Sequence, residues 1–403
     1  MTLTHLPADP AELLSGLDPE QQAVAESISG PVVVMAGAGT GKTRAITHRI
    51  AYAVAMGRHD PAKTLAVTFT NRAAGEMSRR LAGLGVAGVR VRTFHSAALR
   101  QLRWAWPQAI GGEMHDVIAS KSSLVASAAS QLRLGSDFAT VRDLATEIEW
   151  AKVMQVGPAE YAGVASLHGR RGPGGLTVEQ AGEVYEGYER LKRSAGRIDF
   201  EDVLLLTVGV LEDRQDLRQQ VQNSFAHFTV DEFQDVSAVQ QRLLQVWLGD
   251  RDDVCVVGDV AQTIYSFAGA DPSHLLQFGN QFDNTTVVSL ARCYRCTPQI
   301  VQVAEDVLAD GVVSAQLLAT TKARRVPLRS QVSDGPAPRV VQYADEPSEA
   351  VAVVSQIRKL IAAGTPPREI AILVRINALT EQFEAALADA GIAYSVRGGR
   401  RFF

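Results

Sequence analysis

The residues best suited to chemistry lie early in the chain. Ala36-Gly37-Ala38-Gly39-Thr40-Gly41-Lys42-Thr43 follows the apolar run Val32–Met35 and opens an amphipathic segment from Lys42 to about Met56. Glycines let backbone N–H groups wrap an anion, and a helix starting at Lys42 adds a favourable dipole. In this strand–turn–helix context the pattern is a phosphate-binding loop. Lys42 would bridge the β- and γ-phosphates of a nucleoside triphosphate, and the Thr43 hydroxyl would ligate Mg²⁺. Ala36 stands at the usual first glycine. A glycine-rich turn without nucleotide is the competing reading, which GKT in this setting disfavours. By itself the motif specifies an NTPase and no more.

Further acids and aromatics follow downstream. Phe228-Thr229-Val230 reads as an apolar strand ending in Asp231 and Glu232, with Phe233-Gln234-Asp235 next. Asp231 at a strand end suits Mg²⁺ coordination, directly or through the ion's waters, and Glu232 suits orienting and deprotonating an attacking water. One acid pair is weak evidence, but with an upstream phosphate loop it becomes specific. Another strand end follows at Val256-Val257-Gly258-Asp259, and then Gln262, Tyr265 and Phe267. Gln262 is placed to sense a γ-phosphate. Tyr265 and Phe267 either stack on bases or belong to a local core.

These groups need elements to hold them. Apolar β-branched runs at Val32–Met35, Thr64–Phe69 and Val89–Thr93 alternate with helical segments through about Met56 and Leu81, a rhythm that implies a mostly parallel sheet covered by helices. From about Pro107 to Arg197 the pattern turns helical, with a glycine-rich loop at His168–Gly175. Strand signals resume at Phe228–Val230, Val254–Val257 and Val287–Leu290. A helix at Pro298–Leu308, a loop rich in Arg and Pro, and strands at Arg339–Tyr343 and Ile370–Val374 suggest a second α/β domain that begins but does not finish. The domain division expected is 1–106 and 198–290 for the first motor domain, 107–197 for a helical insertion, and 291–403 for the second.

Composition sets limits. The 403 residues are 46% hydrophobic and 21% charged, ordinary for two or three globular domains. No apolar run approaches the roughly 18 residues of a membrane span; the most apolar, Val203–Leu211, is broken by Thr207 and Gly209. The start MTLTHLPADP shows no signal-peptide pattern. Three cysteines fit a reducing cytoplasm, and Cys293-x-x-Cys296 lacks a second ligand pair for zinc. A net charge of −4 argues against indiscriminate nucleic-acid binding. Between Asn71 and Arg103, however, arginines at 72, 79, 80, 90, 92, 100 and 103 face one acid, Glu76. That block either contacts phosphates or forms solvated helix faces.

Taken in order, Leu17-Asp18-Pro19-Glu20-Gln21, the AGAGTGKT loop, Thr68-Phe69-Thr70-Asn71-Arg72, Thr93-Phe94-His95-Ser96, Asp231-Glu232-Phe233-Gln234-Asp235, Gly258-DVAQTIYSF and Tyr294-Arg295 resemble the motifs of superfamily 1 helicases of the UvrD/Rep/PcrA type. The resemblance runs over essentially the whole length. Val141-RDLATEIEWAK and Gly258-DVAQTIYSFAGA bring it nearest the second UvrD-type paralogue of actinobacteria. It implies an α/β fold: a RecA-like parallel-sheet motor domain with an inserted helical subdomain, plus an incomplete second RecA-like domain. It implies ATP and Mg²⁺ as cofactors, with Ala38, Gly39, Thr40, Gly41, Lys42, Thr43 and Arg44 around the phosphates and Thr43 and Asp231 at the metal. Gln21 is implied to read adenine and Tyr294 to stack on it. Arg295 is implied to meet the γ-phosphate, where a guanidinium neutralises developing charge. Lys42, Asp231, Glu232, Gln262 and Arg295 form the catalytic set.

Phe69, Asn71, Thr93, His95, Phe200, Tyr265 and Phe267 fall where the family lines its single-strand groove, and base stacking there is worth about 1–3 kcal/mol per base. The implied function is an ATP-dependent helicase or translocase in DNA repair or replication, moving 3′→5′. Its implied partners are single-stranded and 3′-tailed duplex DNA, and its implied place is the cytoplasm at the nucleoid. Departures are Phe267 for a usual tryptophan, Ala268 for a frequent arginine, and Cys293 and Cys296 for Asn and Ser. In the family, the position of Gly398–Phe403 precedes a second insertion and further second-domain motifs. Competing readings are an ATP- and single-strand-binding fragment without unwinding, a recombination motor coupled to a nuclease module, and an RNA substrate.

Overall fold

The computed structural model describes residues 9–309 and 326–396. The first eight residues, the early part of the Arg- and Pro-rich loop and the stretch Gly398–Phe403 lie outside the described residues. The chain divides into two compact units, 1–336 and 337–403, each described by itself.

The first unit is built on strands β1 (Val32–Ala36), β2 (Thr64–Thr68) and β3 (Arg90–Thr93), then β4 (Asp116–Val117) and β5 (Arg197–Ile198), then β6 (His227–Val230), β7 (Val254–Gly258) and β8 (Thr286–Leu290), and last β9 (Arg292–Cys293) and β10 (Arg329–Ser330). Six of them make one sheet in the order β3-β2-β6-β7-β1-β8, parallel throughout. Every residue of β1, β2 and β7 is buried, and this is why those strands read as unbroken apolar runs rather than alternations. Alternate side chains feed two cores. Val33, Met35, Leu65 and Val67 join the helices Phe94–Ala109, Phe200–Asp213 and Ala238–Leu248. Val32, Val34 and Ala66 join Pro19–Glu26, Lys42–Ala55 and Asn71–Gly83. The sheet strands and helices expected from the sequence in this unit appear with ends shifted by only a residue or two.

Between β3 and β6 lies the helical insertion. Helices Ser122–Gln131, Phe138–Val153, Pro158–Leu167 and Val178–Ser194 enclose a separate core of Leu144, Ile148, Tyr161, Tyr185 and Tyr188. The short parallel ladder β4–β5 closes its base. A buried charge network ties it to the sheet domain. Lys152 Nζ lies 2.6 Å from Asp199 Oδ2 and from Asp202 Oδ1, and Lys192 Nζ lies 2.5 Å from Asp202 Oδ2. Asp199 caps the helix Phe200–Asp213. Burial would raise the Asp199 carboxyl, but Lys152 and Lys192 hold it well below the usual carboxylate range.

A second ionic cluster sits at the N-terminal edge of the sheet. The rings of His59 and His227 stack 3.9 Å apart, and His227 Nδ1 is 2.7 Å from Asp253 Oδ2. Arg49, with no exposed surface, donates from Nε to Ser27 O at 2.7 Å and holds Nη2 3.9 Å from Asp253 Oδ1.

In the second unit, helices Glu346–Ala362 and Thr380–Asp389 pack Val354, Ile357 and Leu387 together, with Ile370 and Ile372 against them. The strands expected at Arg339–Tyr343 and Ile370–Val374 do not form. Residues 339–343 are exposed throughout, and Leu373 is 93% exposed. Alternating apolar residues describe only a local pattern, whereas a strand needs a hydrogen-bonded neighbour, and none pairs with either segment among the described residues. Among the described residues no helix is long and apolar enough to cross a membrane.

Candidate functional site

The phosphate loop leaves the C-terminal end of β1 and turns into the helix Lys42–Ala55. Gly39 and Gly41 have φ of 76° and 82°, the left-handed region that only glycine enters cheaply. Gly41 is the N-cap and no side chain caps this helix, so its first N–H groups suit an anion. Space is as restrictive as dihedral angle. A Cβ on Gly37, Gly39 or Gly41 would come within 2.6, 2.7 and 2.6 Å of Leu328, Arg295 and Gln21 respectively.

Two segments far apart in sequence close on this loop. Gln21, buried, donates from Nε2 to Thr40 O at 3.0 Å. Tyr294 N–H donates to Gly39 O at 2.9 Å, and its hydroxyl donates to Asp18 Oδ2 at 2.6 Å. Asp18 is also the N-cap of Pro19–Glu26, accepting from Glu20 and Gln21 N–H. Glu20 accepts from Ala291 N at 2.8 Å. Arg295 stands exposed with its Cβ against Gly39, and Arg44 donates to Gly16 O at 2.8 Å. Gln21, Tyr294 and Arg295 thus gather at the loop as expected by position. Asp18 and Glu20, which join the two segments, lie in the motif that carries Gln21, but the sequence assigns them no role beyond the Asp-Pro start of a helix.

The acids stand at the ends of β6 and β7. Lys42 Nζ lies 2.7 Å from Glu232 Oε2. Asp231 is 6% exposed, and burial followed by repulsion from Glu232 pushes its carboxyl up to about 7. The same two causes push Asp235 up to about 6. Glu232 has φ of 51°, a strained value for a non-glycine residue, and its N–H donates to Asp231 Oδ1 at 3.0 Å. Gln234 carries no assigned role in the sequence. Its Nε2 donates to Glu232 Oε2 at 2.9 Å and its Oε1 accepts from Asp259 N–H at 3.0 Å, which locks the ends of β6 and β7 together. Gln262 Nε2 donates to Asp259 Oδ2 at 2.8 Å, so Gln262 reaches the acids through that relay. Asp235 Oδ1 is buried without a hydrogen-bond partner among the described residues. Two buried carboxyl groups held above their usual range, one with an orphaned oxygen, together with the Thr43 hydroxyl at the loop, fit a divalent cation.

The candidate groove residues fall into two clusters at the C-terminal ends of β2, β3 and β7. Phe69 stacks on Tyr265 at 4.9 Å, and Phe267 tilts against Tyr265 at 6.2 Å. Asn71 opens the neighbouring helix and is exposed. His95 stacks on Phe200 at 3.8 Å with planes 10° apart. Burial, then Lys121, drives His95 down to about 4, so at neutral pH it is an uncharged ring suited to stacking. Thr93 spends its side chain in a capping box with Ser96 at the start of Phe94–Ala109. Phe69, Phe200 and Phe267 are 41%, 53% and 58% exposed, unusual for phenylalanines with a core to fill. Part of the arginine block is used internally: Arg80 pairs with Glu76, and Arg90 lies over the Phe225 ring.

The chain matches the sequence model of the UvrD/REP helicase N-terminal domain over residues 17–283 and that of the UvrD-like helicase C-terminal domain over residues 288–403. It is similar to the ATP-dependent DNA helicase UvrD2 of Mycobacterium tuberculosis, 48% identical over 402 residues, which is 97% of this chain and 56% of the relative. It is also similar to the ATP-dependent DNA helicase PcrA of Bacillus subtilis, 30% identical over 400 residues, covering 97% of this chain and 52% of the relative. The chain spans about half the length of the curated relatives it matches.

Proposed function

The chain belongs to the UvrD/REP helicase family, and from that premise we propose that it is the motor portion of an ATP-driven DNA helicase that tracks along single strands. The observation that carries this reading is the 2.7 Å pairing of Lys42 on the phosphate loop with Glu232 at the end of β6. It brings a cation suited to phosphate into direct contact with a carboxylate suited to act as a general base. Lys42 exchanges this carboxylate for the β- and γ-phosphates of ATP, which frees Glu232 to orient and deprotonate the attacking water. Thr43 and Asp231 would hold Mg²⁺, which would supply neutralisation of phosphate charge. Gln21 and Tyr294 hold adenine, and Ala38 to Arg44 wrap the phosphates. Arg295 and Gln262 approach the γ-phosphate from the second motor domain and from β7. Arg295 is worth most there, because charge on the transferred oxygens peaks in the transition state.

DNA binding falls to the two aromatic clusters. Phe69, Tyr265 and Phe267 at one and His95 and Phe200 at the other stack on bases without reading sequence, with Asn71 and Thr93 beside them. Because the Gln234–Asp259–Gln262 relay leads straight into the Tyr265 loop, nucleotide state and base stacking share one rigid connection. The same reading divides the chain at 106, 197 and 290, gives 3′→5′ movement on 3′-tailed duplexes, and places the work in repair or replication at the nucleoid. ATP turnover measured with and without homopolymer single strands tests it. The Lys42→Ala variant should lose turnover while still binding DNA. Turnover retained in that variant would sink the phosphate-loop assignment.

A further inference from the structure

Cys293 and Cys296 form a thiol pair that the proposed ATP chemistry does not use. Cys293 ends β9 and is 1% exposed, while Cys296 is half-buried. Cys296 N–H donates to Cys293 Sγ at 3.5 Å, which brings the two cysteines together across a two-residue turn. The turn that folds them together is Tyr294-Arg295, and it lies against the phosphate loop. Tyr294 N–H holds Gly39 O at 2.9 Å, and a Cβ on Gly39 would stand 2.9 Å from Cys293 Sγ. The pair is anchored from behind as well. Gln331 N–H donates to Cys293 O at 2.8 Å, and Ser330 Oγ donates to Cys296 O at 2.7 Å.

We propose that Cys293 and Cys296 are a redox modification site, oxidised by hydroperoxides to a disulfide that shifts the Tyr294-Arg295 turn off the phosphate loop and weakens nucleotide binding. The effect on nucleotide rests on the ATP-site reading above. In the first step the Cys296 sulfur attacks the terminal peroxide oxygen, the O–O bond breaks, and the leaving oxygen departs as water or alcohol with the thiol proton. Cys296 is then a sulfenic acid. Cys293 sulfur attacks it, the S–S bond forms, and the S–O bond breaks, with hydroxide leaving as water on the Cys293 proton. Two thiols lose two electrons and the peroxide gains them.

The mechanical consequence follows from bond length. Two free thiols sit well beyond the roughly 2.05 Å of a disulfide, so closure must draw the side chains together. With both carbonyls pinned to residues 330 and 331, the movement passes into Tyr294-Arg295, whose N–H and Cβ touch Gly39. Burial, then the neighbouring Cys293, pushes the Cys296 thiol up, so oxidation should quicken as pH rises above neutral. Cys255, wholly buried in β7, serves as an internal control.

The test treats the reduced chain with hydrogen peroxide, alkylates the remaining thiols and digests with trypsin, which cuts after Arg292 and Arg295. The expected product is Cys293-Tyr294-Arg295 disulfide-linked to the peptide that begins at Cys296, with Cys255 alkylated. A fluorescent ATP analogue with Mg²⁺ is titrated in parallel. Affinity should fall by roughly fivefold or more on oxidation and return with dithiothreitol. In Cys296→Ser the ratio of oxidised to reduced affinity should be one. Absence of the linked peptide overturns the site, and a linked peptide with unchanged affinity overturns the switch. Failure of the reduced chain to bind the analogue would instead overturn the ATP reading and the affinity half of this proposal, leaving the peptide linkage to be judged alone.

Discussion

Strands β6 and β7 carry ionisable groups at both ends, and the two ends are organised in opposite ways. At the N-terminal ends burial would raise the Asp253 carboxyl, but the hydrogen bond with His227, the nearby His59 ring and the charge of Arg49 hold it far below the usual range. At the C-terminal ends burial and the charge of Glu232 push Asp231 up to about 7 and Asp235 up to about 6, and Lys42 offsets this only in part. The same two strands thus end once in a self-neutralised cluster and once in a surplus of negative charge. A surplus of that sign suits a site for a divalent cation, and it costs fold stability. Substitutions at the two ends should therefore separate activity from stability.

Glu232→Gln should show the largest effect. Shape is kept and the base is lost, so turnover should fall by about 10²- to 10⁴-fold while nucleotide still binds. Thermal melting should barely move, since Glu232 is one-third exposed. A variant that melts much earlier, yet turns over normally once folded, would reverse the contrast. Next comes Asp253→Ala at the opposite edge. It strands the wholly buried Arg49 beside two histidines, a loss of about 3–5 kcal/mol in urea denaturation. Turnover per folded molecule should be unchanged. A cost below about 1 kcal/mol would mean that this cluster does not neutralise itself.

Asp231→Asn should move stability the other way. The folded carboxyl is raised to about 7 from its ordinary value of 3.8. A group raised on folding contributes stability that is complete below its unfolded pKa and is lost as pH rises through the folded one. Wild type should therefore lose stability from about pH 4 to 7 on this account, and the amide should not. Around pH 8 the variant should be more stable by on the order of a few kcal/mol, with turnover destroyed. Equal or lower stability at pH 8 would show that Lys42 compensates the buried charge fully.

The sheet was legible because buried parallel strands announce themselves as apolar runs such as Val32-Val33-Val34, and the acid pair was legible because it ends one of those runs. The geometry that makes the site was not. Tyr294 and Asp18 meet across 276 positions, and Tyr294 N–H finds Gly39 O only in the folded chain. Gln234 sits inside a motif already noticed, yet its bridging role depends on β6 and β7 being neighbours. Thr93 carries only a groove reading in the sequence, whereas the structure shows its side chain closing a cap with Ser96. Ile370 and Ile372 alternate as a strand would, but they pack on two helices with no ladder beside them.

The smallest expected effect concerns the histidine at the structural edge. Burial lowers His59, against the pull of Asp253 and with smaller downward pushes from Arg49 and His227. Its Nε2 lies 2.9 Å from Ile28 O, and Nδ1 is buried without a partner, so the neutral ring suits the fold. The folded pKa lies below the unfolded value near 6.5, so below about pH 6.5 the unfolded chain takes a proton that the folded chain refuses. Stability from this group is complete above that pH and is lost as pH falls towards the folded value. The slope is bounded at about 1.4 kcal/mol per pH unit for one proton. Asp231 and Asp235 act with the opposite sign across much of the same range, so wild type should show a muted profile between pH 5 and about 7. His59→Gln keeps a donor for Ile28 O but cannot titrate. Its stability should therefore rise relative to wild type as pH is lowered from about 7 to 5, after allowance for any constant offset. Combined with Asp231→Asn, which removes one of the two opposing contributions, His59→Gln should shift the profile by the same amount again, because the two groups lie at opposite ends of the sheet. A relative slope of zero would place the His59 proton outside the folding equilibrium. Strong non-additivity would show that the two edges are coupled through β6, and the contrast between them would then be one of degree.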